Sequence, residues 1–246
     1  MLYGIICAMP EEFGVLEAYI QNAHKTHIAG REFIQGRLGN AEVVAVVSRI
    51  GKVAAAVTCT LLIDRFGVSS ILFCGIAGSL KPQVKIGDIV VADQCVQHDF
   101  YLSDDDLFRI PIINKVELPC DPELSGRCSA ACHRFLKTAA EKAELVSFWH
   151  DVNVKTPQVH IGAIASGDQF ISGGERRDFI CRHLPQALCV EMEGAAVAQV
   201  CFETSVPCAV IRVVSDGADS DAEISSDRFA AAASLYTGGI LCALFE

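Results

Sequence analysis

The chain has 246 residues, of which 51% are hydrophobic and 20% charged, and its formal net charge is −10. That length fits one large domain or two small ones, and the hydrophobic fraction excludes a disordered chain. The acidic balance argues against nucleic acid or an anionic membrane as the main partner, since either calls for basic neutralisation.

In chain order, residues 2–7 predict a first strand. Pro10 suits the first turn of a helix and Glu11 and Glu12 its positive end; Phe13, Leu16, Glu17 and Ile20 continue that helix along one face. Residues 32–37 and 42–48 read as a hairpin turned by Leu38-Gly39-Asn40-Ala41. Residues 53–66 form an Ala-rich helix ended by Gly67. Residues 70–74 are a buried strand with Gly75-Ile76-Ala77-Gly78 as a loop at its end, and 87–92 are another strand. Residues 98–121, with Asp104-Asp105-Asp106 and Pro111 and Pro119, predict a long irregular excursion. A helix over 129–145, a strand over 159–165 and a loop over 166–170 follow. A strand over 187–190 runs through Glu191-Met192-Glu193 into a helix ending near Glu203; a strand over 207–214 and a helix over 227–245 complete the chain.

Strands alternating with helices predict an α/β fold, a three-layer αβα sandwich with a twisted central sheet that the early hairpin makes mixed. No repeat or linker divides residues 1–246, so one domain is expected. Ligands in such sheets sit beyond the carboxyl ends of strands, which places candidate sites after Cys7, Cys74, Ala165, Val190 and Val214.

Twelve cysteines are scattered without C-x-x-C spacing, mostly within apolar runs, and read as buried reduced thiols rather than disulfides or metal ligands. The N-terminus lacks a basic region and meets Glu11-Glu12 almost at once, no apolar run reaches membrane-spanning length, and Cys242 is not fourth from the end. A cytoplasmic protein is expected.

Taken alone, Glu12 could simply favour a helix start, Asp216 could be a cap or turn residue, and Phe170 and Met192 could be core. Glu193, where an apolar strand meets an Ala-rich helix, and Arg212, inside Ala209-Val210-Ile211-Arg212-Val213-Val214, are harder to place without partners, because burying a charge is costly.

Seven fragments in order carry a resemblance. They are Ile5-Ile6-Cys7-Ala8-Met9-Pro10-Glu11-Glu12, Ile50-Gly51-Lys52-Val53-Ala54-Ala55, Gly75-Ile76-Ala77-Gly78, Val84-Lys85-Ile86-Gly87-Asp88-Ile89-Val90, Ser166-Gly167-Asp168-Gln169-Phe170-Ile171, Val190-Glu191-Met192-Glu193 and Arg212-Val213-Val214-Ser215-Asp216. Together they resemble the 5′-methylthioadenosine/S-adenosylhomocysteine nucleosidases of the nucleoside phosphorylase/hydrolase superfamily. The resemblance implies cleavage of a ribose–adenine bond by water, in a homodimer, with no metal or redox cofactor. It implies that Glu12 is the general base for water, that Glu193 binds the ribose hydroxyls and that Asp216, oriented by Ser215, protonates purine N7. It also implies that Phe170 stacks on the base, the Ile171 backbone reads the purine edge, Met192 packs on ribose and Arg212 positions water or the acids. Met9, Ile50, Ile76, Ala77, Gly78 and Glu191 would complete the substrate site.

Phosphorolytic relatives carry a phosphate-binding arginine before the glycine loop, where this chain has Phe73-Cys74-Gly75; hydrolysis is therefore expected ahead of a phosphorylase or an inactive nucleoside binder. Two positions depart from the nucleosidase pattern: Ile76 stands for a serine, and Ser226 for a phenylalanine of the 5′ pocket. They leave methylthio, homocysteine and futalosine-type 5′ groups open. Lys52 lacks Walker spacing and reads as a helix-start residue, and His98 and Asp99 read equally as a family loop or a solvated turn.

Overall fold

The computed structural model describes residues 1–246 except 104, 105, 153, 155, 220 and 221, and except the side chains of residues 223–228 and 231. The expectation for the Ser226 side chain therefore lies outside the described residues, as do Asp104 and Asp105.

The elements in order are β1 (Leu2–Cys7), α1 (Pro10–Phe13), α2 (Leu16–Tyr19), β2 (Gln21–Ile28), β3 (Arg31–Leu38), β4 (Ala41–Val47), α3 (Lys52–Phe66), β5 (Ser70–Ser79), β6 (Ile89–Gln97), β7 (Tyr101–Ser103), β8 (Asp106–Leu107) and β9 (Leu118–Pro119). Then come α4 (Pro122–Ala139), α5 (Ala143–Asp151), β10 (Val159–Ser166), α6 (Gly174–His183), β11 (Ala187–Glu191), α7 (Gly194–Thr204), β12 (Cys208–Asp216) and α8 (Ala222–Leu244).

One ten-stranded mixed sheet runs β11-β10-β6-β12-β5-β1-β4-β3-β2, with β9 beside β6. Its central strands are buried on both faces, as expected of a sheet covered by helices. Tyr3, Ile5 and Cys7 of β1 enter one core with residues of α1, α2, α4, α5 and α8, while Ile6 enters the other with residues of α3 and α7. The same alternation holds in β12: Ala209, Ile211 and Val213 face the first core, and Cys208, Val210 and Val214 the second. The three-layer mixed α/β architecture is thus the one expected.

The sheet also closes on itself. The far half of β5 pairs antiparallel with β11, Gly78 opposite Val190 and Ser79 opposite Cys189. This contact draws the carboxyl ends of β1, β5, β10, β11 and β12 toward one place.

Four local expectations are corrected. The first helix is broken into α1 and α2: the Gly14 N–H closes α1 on the Pro10 carbonyl, and the chain turns so that α1 lies against α8. Gly75-Ile76-Ala77-Gly78 is not a loop but part of β5, because these residues pair with Arg212, Val213, Val214 and Asp216 of β12. The helix expected over 129–145 is two helices separated after Ala139. β2 and α6 were not expected at all: β2 is an exposed polar edge strand, and α6 buries only Ile180.

Candidate active site

Beyond those strand ends lies a cavity of about 460 Å³. Met9, Glu12, Ile50, Ile76, Ala77 and Gly78 line one part of it. Phe170, Ile171, Glu191, Met192, Glu193, Ser215 and Asp216 line the rest. Every residue to which the resemblance gave a part in the reaction or the substrate site lines the cavity except Arg212, which sits behind it, while Lys52, His98 and Asp99 lie outside the lining. Ala8, Gln169 and Val190 also line it and were not anticipated. Gln169 lies within Ser166-Gly167-Asp168-Gln169-Phe170-Ile171 but carries no chemical signal of its own.

Glu12 is placed by the start of α1. Pro10 begins the helix, and the free amides of that first turn need acceptors. The Glu12 side chain folds back to supply one: Oε2 accepts from the Ala8 N–H at 2.7 Å and the Met9 N–H at 3.0 Å. Oε1 accepts from the Ile76 N–H at 2.9 Å. The carboxyl is buried, and burial pushes it above the ordinary carboxylate range despite Arg212 and the three amides. A carboxylate so placed readily accepts a proton.

Arg212 lies on the β12 face that packs against α3 and α7, with its guanidinium 4.0 Å from the Phe73 ring centroid. Nε and Nη2 donate to Glu191 Oε2 at 3.0 Å and 2.5 Å, and Nη2 lies 3.8 Å from Glu193 Oε2. Burial alone would favour losing its proton; the surrounding carboxylates outweigh that and hold the charge. Glu191 is fully engaged. It also accepts from the Gly194 N–H at 2.8 Å, the Glu193 N–H at 3.1 Å and the Ser166 hydroxyl. Its oxygens thus anchor Arg212 and the first turn of α7, although the residue borders the cavity.

Glu193 caps nothing in its own helix. Its Oε1 accepts instead from the Gly51 N–H at 2.8 Å. Gly51 has φ +99°, a conformation that side-chain-bearing residues rarely adopt. Burial and the neighbouring Glu191 push the Glu193 carboxyl up to about 8. At the end of β12, Asp216 Oδ2 accepts from the Ser215 hydroxyl at 2.7 Å and Oδ1 from the Ala218 N–H at 2.8 Å. Burial raises the Asp216 carboxyl in spite of these donors, the direction a proton donor requires. Phe170 and Ile50 are half-exposed at the rim.

A family model described as the phosphorylase superfamily matches residues 2–246. The chain belongs to that superfamily. A 5′-methylthioadenosine/S-adenosylhomocysteine nucleosidase of Mycobacterium bovis is 37% identical over 239 residues, covering 92% of this chain and 89% of the relative. An aminodeoxyfutalosine nucleosidase of Helicobacter pylori is 38% identical over 227 residues, covering 92% and 90%. Among solved structures, a 5′-methylthioadenosine/S-adenosylhomocysteine nucleosidase of Colwellia psychrerythraea in complex with adenine superposes with a TM-score of 0.86 at 30% identity, covering 100% of this chain and 94% of that one.

Holding phosphate for phosphorolysis would call for a cationic side chain. Among the described residues, no lysine, arginine or histidine lines this cavity, whereas Glu12, Glu191, Glu193 and Asp216 do. Arg212, behind the lining, is tied to Glu191.

Proposed function

We propose that this protein hydrolyses the N-glycosidic bond of 5′-modified adenine nucleosides, releasing adenine and a 5′-modified ribose. The observation that carries this reading is the cavity itself, which is rich in buried carboxyls and, among the described residues, lined by no basic side chain. Phosphate would be repelled there, while water can be activated.

The step balances within the chain's own groups. Water oxygen forms a bond to C1′ as the C1′–N9 bond breaks, and the bonding pair moves into the purine. Asp216, raised by burial and oriented by Ser215, gives its proton to N7. Glu12, held by three amides, takes the proton that water loses. Glu193 accepts hydrogen bonds from the ribose hydroxyls and favours the cationic sugar. Phe170 stacks on the base, the Ile171 backbone reads its edge, and Met192 packs on ribose. Arg212 acts from behind, fixing Glu191 and biasing Glu193 toward its ionised form. The two-acid arrangement follows the logic of glycoside hydrolysis in general.

We read residues 1–246 as one domain, because a single sheet draws strands from residues 2 to 216. A homodimer is supported by Ile50, Val53 and Val57, large apolar side chains exposed at and beyond the cavity rim; sedimentation equilibrium tests it. Twelve free cysteines fit a reducing cytoplasm. No described helix is long and apolar enough to cross a membrane.

Adenine release from methylthioadenosine, S-adenosylhomocysteine and aminodeoxyfutalosine, each with and without phosphate, tests the activity. The expected result is release independent of phosphate, abolished in Asp216→Asn. A strict phosphate requirement would overturn hydrolysis in favour of phosphorolysis, and binding without turnover would mark a nucleoside-binding protein.

A further inference from the structure

Lys52, Asp99 and Asp168 lie outside the cavity lining, and the reaction described above does not use them. They come from three segments: the start of α3, the loop after β6 and the loop after β10. In space they close a ring. The Lys52 backbone N–H donates to Asp168 Oδ1 at 2.8 Å, the Asp168 N–H donates to Asp99 Oδ2 at 2.8 Å, and the Lys52 ammonium donates to Asp99 Oδ1 at 2.6 Å. The ammonium also donates to Gln97 Oε1 at 3.0 Å. The Lys52 and Asp99 side chains are only 17% and 15% exposed, so solvent screens this pair less than a surface ion pair. His98 packs beside it, buried and with Nε2 unpartnered, and burial lowers its affinity for a proton.

Each side of the ring leads to a different part of the cavity. Gly51, the residue before Lys52, has no side chain with which to cap α3, and its own N–H is given to Glu193. Asp168 supplies the missing acceptor at the next amide from a distant segment. On the other side, Gln169, Phe170 and Ile171 follow Asp168 directly and line the cavity. We infer that Lys52, Asp99 and Asp168 form a positioning clamp that holds the purine-side loop and the Glu193 carboxylate in register with each other. The inference rests on the nucleosidase reading of the cavity, which gives Phe170 and Glu193 the base and the ribose.

The clamp makes a distinctive pH prediction. The charged groups facing Glu193 are Glu191 from β11, Arg212 from β12 and Glu12 from α1. Burial, Glu191 and Glu12 favour its protonated form; Arg212 and the Gly51 N–H oppose them. Loosening Lys52 withdraws the Gly51 donor, so Glu193 stays protonated to higher pH. A defect that merely destabilised the fold would lower activity without moving this limb.

The experiment compares the full chain with Asp99→Ala, Asp99→Asn and Lys52→Arg. Asp99→Ala is expected to lower kcat/KM for adenine release by about tenfold or more, as small misplacements of positioned groups do, and to move the acid limb of the kcat/KM profile upward. Asp99→Asn and Lys52→Arg retain part of the ring and should recover part of both effects. Amide hydrogen exchange at residues 51–52 and 168–169 should quicken in Asp99→Ala, a readout that needs no turnover. An unmoved acid limb in an active Asp99→Ala protein, or unchanged exchange in either segment, overturns the clamp. Failure of the unmodified protein to release adenine overturns the nucleosidase reading instead, and the exchange data then decide the clamp alone.

Discussion

Gly75 shows how closely Glu12 and Arg212 are set against the backbone. A Cβ built there would fall 2.5 Å from Glu12 Oε1 and 2.7 Å from Arg212 Nη1. Both neighbours are held, Glu12 by three amides and Arg212 by Glu191, so neither can yield without losing a hydrogen bond. Gly75→Ala should therefore lower kcat/KM by about 10²-fold while leaving the circular dichroism spectrum unchanged. Near-normal turnover would show that Glu12 tolerates displacement and does not act as the base. At this scale the sequence was informative where burial made no sense without chemistry. Glu193 and Arg212 stood out in apolar surroundings, and both are buried in one charge cluster. Gly51 and Ser166 were not recognised as supports, because a backbone N–H and a hydroxyl acting on a carboxylate more than 20 residues away leave no local pattern.

At the scale of elements, β12 couples fold to site. Its alternation serves both cores, and Arg212 occupies one of the positions facing α3 and α7, compensated by Glu191 at the end of β11. Removing one member of such a pair leaves the other charge buried and unpaired. Arg212→Leu should lower the unfolding free energy by about 3–5 kcal/mol in urea titration, and adding Glu191→Leu should restore part of it. An additive double variant would mean that the pair is not coupled. β12 was legible because its apolar run is long and both faces are buried. β2, QNAHKTHI, was not: it forms through backbone pairing with β3 at a solvated edge, and none of its residues is fully buried. The glycines of β5 misled in the opposite sense. They read as a loop, yet Gly75 and Gly78 sit in a paired strand where the Glu12, Arg212 and Asp216 side chains approach the backbone. Glycine inside a strand can mark close approach as well as a bend.

For the molecule as a whole, the cavity carries a stability cost that depends on pH. Glu193 titrates at about 8 in the folded protein, against an ordinary value of 4.5, because burial and Glu191 disfavour its charge. Glu12 and Asp216 are raised in the same direction by burial. A carboxyl raised on folding binds its proton more tightly in the native state. Its contribution to stability is present in full below about 4.5 and is lost as pH rises toward about 8. The thermal midpoint of the free protein should therefore carry a component that falls across that window. Glu193→Gln, which is neutral throughout, should lack this component, while thiols and histidines common to both proteins titrate alike and cancel in the difference. Differential scanning calorimetry of the pair at matched ionic strength measures it. A difference that does not change with pH would mean that Glu193 ionises without penalty, and Arg212 would then have to neutralise it more fully than a guanidinium already bonded to Glu191 is placed to do.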